Sequence, residues 1–94
     1  MIRFNAKTEE EFQTEILERD QEIALEIVKC ICDALDENVD KVIIGVIAEM
    51  GAELSAKREG FLEALKANLH KVEEAEDYEL CSRTKIWIEK LETE

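Results

Sequence analysis

Between Ile23 and Leu35 the chain reads IALEIVKCICDAL, and ten of these thirteen residues are apolar. The three exceptions, Glu26, Lys29 and Asp33, fall three and four residues apart. That spacing marks one narrow face of an α-helix, and Glu22 and Asp36 continue it at either end. At about 100° per residue the apolar positions cover roughly 220° of arc. A helix so widely apolar must be covered on most sides, which places this stretch at the centre of a helical assembly.

The remainder of the chain points the same way. Ala, Glu, Lys, Leu and Arg supply 49 of the 94 residues, and there is no proline to break a helix. Strand-like alternation is confined to Ile2-Arg3-Phe4. The expected fold class is all-α. Residues 1–7 form an arm, and helix A runs over 9–36, opened by a Thr8/Glu11 capping box. Asn38 is read as the N-cap of helix B, over 39–75, with a possible kink near Gly60. Its stripe is Val39, Ile43, Ile47, Met50, Leu54, Phe61, Leu65, Leu69 and Val72, in steps of three, four or seven. Asp77 caps helix C, over 78–92. The whole is expected to be a single domain, an antiparallel long-helix hairpin with a short C-terminal helix. A monomer would leave part of the helix A arc wet, so assembly into a helical-bundle oligomer, a dimer first of all, is expected.

The net charge of −12 opposes binding to nucleic-acid backbones and to anionic membranes, and favours a basic partner. The start MIRFNAKTEEE lacks the apolar core of a signal peptide, and no run is long enough to span a bilayer. Cys30, Cys32 and Cys81 lack metal-like spacing and read as reduced, buried thiols of a cytoplasmic protein.

Two sets of residues are candidate sites. The first is the acidic face of helix A: Glu11, Glu15, Glu18, Glu22, Glu26, Asp33 and Asp36. It suggests an interface for a basic or nucleic-acid-binding protein. In composition the chain resembles small acidic inhibitor proteins of phages, which implies an inhibitory role. The second is the polar interruption of the helix B stripe at Lys57 and Arg58, with Asn68 nearby and Arg83 or Lys85 from helix C. These residues suggest a pocket for a small anionic ligand such as a nucleotide.

Glu15-x-x-Glu18 and Asp33-x-x-Asp36 superficially resemble the paired acidic motifs of all-α nucleoside triphosphate pyrophosphohydrolases. On one helix the pairs would stand ~27 Å apart, too far to share a metal cluster. His70 has no nucleophile partner, and no Gly-rich phosphate loop is present. The sequence therefore predicts a non-enzymatic binding protein without cofactor or metal.

Overall fold

The computed structural model describes residues 1–94 and is not all-α. Its elements are β1 (Ile2–Phe4), α1 (Glu9–Glu18), α2 (Asp20–Asp36), β2 (Lys41–Ile47), a single 3-10 turn (Ala48–Met50), β3 (Ala52–Lys57), α3 (Arg58–Glu74) and α4 (Tyr78–Glu92). The three strands form one sheet in the order β1-β2-β3. β1 runs parallel to β2, and β3 runs antiparallel to it.

The expected helix B over 39–75 is the largest correction. Its first half is the β2–β3 hairpin, and only 58–74 is helical. The segment VIIGVI carries five β-branched residues in six, which favour a pleated, half-buried strand. The hairpin turns through Gly51, whose φ of 62° suits a residue without a Cβ. Lys57 and Arg58 mark where β3 passes directly into α3, and Gly60 lies in the first turn of that helix rather than at a kink.

Asn38 is likewise not an N-cap. It sits at φ 56° and closes α2, with the Asn38 N–H donating to the Leu35 carbonyl (3.2 Å) and the Val39 N–H to that of Ala34 (2.9 Å). This is the Schellman pattern that ends a helix. The expected helix A over 9–36 is also interrupted, at Arg19, which leaves α1 and α2 as separate helices.

α2 is the element around which the others pack. Its Val28, Ile31, Cys32, Ala34 and Leu35 meet Phe61, Leu65 and Val72 of α3 and Leu80 and Cys81 of α4 in the main core. A second cluster joins Ile23 of α2 to Ile2 and Phe4 of β1, Ala6, and Ile47 of β2. Ile27 is half-buried between the two. The wide apolar arc that suggested a helical-bundle oligomer is thus covered within one chain, because the unforeseen sheet supplies the missing neighbour. No helix is long and apolar enough to cross a membrane.

Only one face of the sheet is covered. Ile2, Phe4, Val42, Ile47, Leu54 and Ala56 face the helices; Arg3, Lys41, Ile43, Glu53, Ser55 and Lys57 are exposed on the opposite face.

Candidate functional site

Five of the seven carboxylates of the expected acidic stripe are engaged inside the molecule. Glu15 accepts the backbone N–H groups of Asn5 (3.0 and 3.1 Å) and Ala6 (3.1 Å), which fixes the arm after β1 onto α1. Arg19 binds Glu15 at 2.7 Å and grips both oxygens of Glu22 at 2.8 and 2.9 Å. It also donates to the Arg3 carbonyl (2.8 Å) and lies 5.4 Å from the centre of the Phe4 ring. Arg19 therefore ties β1, α1 and α2 together at the joint between the two helices.

The other three engaged carboxylates lie on α2. Glu26 holds the N-terminal ammonium at 2.8 Å and accepts from the Cys30 thiol at 3.2 Å. Asp33 and Asp36 both accept from Arg83 at 2.8 Å, and Asp36 takes the Trp87 indole N–H at 2.9 Å. These ties pin α4 to the end of α2.

The titration of these groups follows from their partners. Desolvation raises the Glu15 carboxyl, but the Asn5 N–H, Arg19 and the Ala6 N–H outweigh it and hold it below its ordinary value. Arg19 lowers Glu22 mainly through their hydrogen bond, and Trp87 and then Arg83 lower Asp36. Burial, helped by the adjacent Glu26, pushes the Cys30 thiol up to about 11, so it is protonated and unreactive at neutral pH.

The two carboxylates of the stripe left over, Glu11 and Glu18, lie on α1. Glu18 and Glu10 make no side-chain bond, and Glu11 meets only the Thr8 hydroxyl, at 3.4 Å, within its capping box. Glu10, Glu11 and Glu18 line a groove of about 540 Å³ together with Asn5, Ala6, Thr8, Thr14, Glu15 and Arg19. Beside it Leu17 is 79% exposed. α1 buries none of its ten residues fully; Phe12 and Ile16 only rest against the second cluster.

Leu17 is one of three large apolar residues of α1, with Phe12 and Ile16. The four-residue step from Phe12 to Ile16 defines the inward line, and Leu17 lies about 100° off it. That offset was the available sign that Leu17 is free. Glu10, Thr8 and Thr14 were not singled out as groove residues, because the groove exists only once the 5–8 arm folds back onto α1.

The second candidate set is dispersed. Arg83 is committed to Asp33 and Asp36, Asn68 donates to the Ala64 carbonyl at 2.7 Å within α3, and Lys85 is exposed on α4. Lys57 and Arg58 adjoin at the start of α3 in a recess of about 510 Å³, with Asp40, Lys41 and Glu59. Arg58 stands 3.7 Å from Asp40 and 3.6 Å from Glu94. His70 is exposed, and no three His, Cys, Asp or Glu side chains converge as metal ligands would.

No protein-family model, curated protein or solved structure matches this chain.

Proposed function

We propose that the protein is a cytoplasmic, non-enzymatic interaction module that binds a basic surface of a macromolecular partner through α1 and its groove. One observation carries this reading. α1 is a ten-residue helix that buries none of its residues fully, and Glu10, Glu11 and Glu18, which have no ion-pair partner in the chain, line one groove along it.

A helix this short is marginal alone, and Glu11 and Glu15, or Glu15 and Glu18, repel mildly at one turn's spacing. The fold holds it in place through Thr8, Glu15 and Arg19 and leaves Glu10, Glu11 and Glu18 uncompensated. A partner bearing Lys or Arg relieves that repulsion, and Leu17 offers it an apolar contact. Masking a basic nucleic-acid-binding surface in this way would inhibit the partner. The three free thiols suit a reducing compartment.

The test compares two variants of equal charge. Glu10, Glu11 and Glu18→Gln removes the groove's spare charge; Glu63, Glu73 and Glu74→Gln removes the same charge from exposed positions on α3. Each raises the net charge by three from −12. The expected result is that the α1 variant loses a partner retained by the native protein, through slower association, whereas the α3 variant keeps it. Equal retention by both variants, or equal loss, would overturn the assignment to α1.

A further inference from the structure

The two edges of the sheet are treated differently. At the β1 edge, Arg19 occupies the Arg3 carbonyl and Glu15 takes the next N–H groups along the chain. Nothing in the chain pairs with the outer edge of β3, which is six residues long and lacks proline. Natural sheets commonly protect such an edge, because its free N–H and C=O groups are a template for another strand. The irregularity in this hairpin lies in β2, between Ile43 and Gly45, and leaves β3 regular.

We propose that β3 pairs with β3 of a second copy of this chain, antiparallel about a two-fold axis at Ser55, to give a continuous six-stranded sheet. The backbone sets this register. The Arg58 N–H donates inward to the Asp40 carbonyl at 2.8 Å. By alternation, residues 56 and 54 also direct their backbone groups toward β2, so those of 57, 55 and 53 face the free edge. Only a two-fold at residue 55 lets all three outward residues bond within the strand: 53 with the partner's 57, 55 with 55, and 57 with 53.

That register is also the one the side chains fit. It sets Glu53 opposite the partner's Lys57, twice by symmetry, on the exposed face, and Ser55 opposite Ser55. On the inner face it sets half-buried Leu54 opposite the partner's half-buried Ala56. It further answers a cost inside each chain. Lys57 lies directly across from Lys41, a like-charge pair that disfavours the hairpin, and neither lysine has an ion-pair partner within the chain. The partner's Glu53 supplies the missing negative charge to that row. The pairing is independent of the role proposed for α1, which sits at the other edge.

Sedimentation equilibrium of the full chain, a 10.8 kDa monomer, tests the proposal at micromolar concentration. The native protein should sediment as a dimer. Glu53→Lys and Lys57→Glu should each raise the dissociation constant at least tenfold, by placing like charges opposite one another. Combining the two restores both pairs in reversed sense and should recover the dimer. Circular dichroism should show the fold unchanged in all three, since both positions are exposed. A native protein that stays monomeric overturns the proposal, as does a dimer indifferent to the single changes or one that the double change fails to rescue.

Discussion

Substituting Gly45 by alanine tests how β1 is held. A methyl group at this position would stand 2.8 Å from Cε2 of Phe4 and 2.9 Å from the Ile2 carbonyl oxygen. Carbon contacts are comfortable at about 3.5–4.0 Å, so something must move by more than half an ångström. The Ile2 oxygen belongs to the backbone, and Ile2 is the direct partner of Gly45 in the parallel ladder. The Phe4 ring is 2% exposed, packed edge-on against Phe12 at 5.1 Å between ring centres. Neither obstacle is a free side-chain end. If β1 shifts and stays paired, the cost is that of overpacking, about 1–3 kcal/mol. If β1 detaches, Ile2 and Phe4 lose their burial at about 1.5–3 kcal/mol each, so the loss approaches about 3–6 kcal/mol. Urea unfolding separates the two outcomes. A shift lowers the midpoint at unchanged m, whereas detachment also lowers m, because less surface remains to be exposed. The melting temperature should fall by about 4–8 °C per kcal/mol. A Gly45→Ala protein within about 0.5 kcal/mol of the native one would refute this account of β1.

Two other outcomes are expected. Glu76 ends α3 at φ 58°, which strains a side chain other than glycine's; Glu76→Gly should stabilise by about 0.5–1 kcal/mol, seen as a higher melting temperature, whereas Glu76→Ala should not. Glu15 and Glu22 have folded-state pKa values below their ordinary ones, so the stability Arg19 lends them is full above about pH 5 and is lost as the pH falls through the folded-state values; the stability difference between native protein and Arg19→Met, followed by urea unfolding from pH 7 to pH 3, should shrink on that descent, and a constant difference would show that these pairs do not matter.

How much of this fold could be read in the sequence differs by segment, for physical reasons. The Ile23–Leu35 stretch is visible as a helix because its period is unbroken over three turns, and Ile31, Cys32 and Leu35 are indeed core. Thr8 and Asp77 act locally, each accepting a backbone N–H three residues on, so capping spacing alone reveals them. The hairpin hid because its irregularity disturbs the period-two signal. The register slips between Ile43 and Gly45, and Ile44 and Gly45 are buried in succession. The large residues at 43, 47, 50 and 54 then fall at helical steps even though 43 is on the open face and 47 and 54 on the covered one. Composition weighted the choice further, since Ala, Glu and Lys surround a strand that five β-branched residues decide.

The acidic candidate site shows the same division between local and distant causes. The spacing of Glu11 to Asp36 is local and was visible. Which carboxylates remain free is not local, because their partners come from afar: the N-terminus, the Asn5 and Ala6 amides, and Arg83, which lies 50 residues from Asp33. Those partners engage Glu15, Glu26, Asp33 and Asp36, and Arg19 engages Glu15 and Glu22, so within the stripe only Glu11 and Glu18, both on α1, lack a cation. The contacts of Glu15 and Arg19 close the β1 edge, while nothing in the chain pairs with the outer edge of β3. A dimer joined at β3 therefore carries its two acidic grooves at opposite ends of one sheet. There each groove can meet a separate basic site, and two sites on one partner would bind more tightly through their linkage alone. Glu53→Lys, which touches neither groove, should then weaken binding to a partner with repeated sites while leaving binding to a single site unchanged.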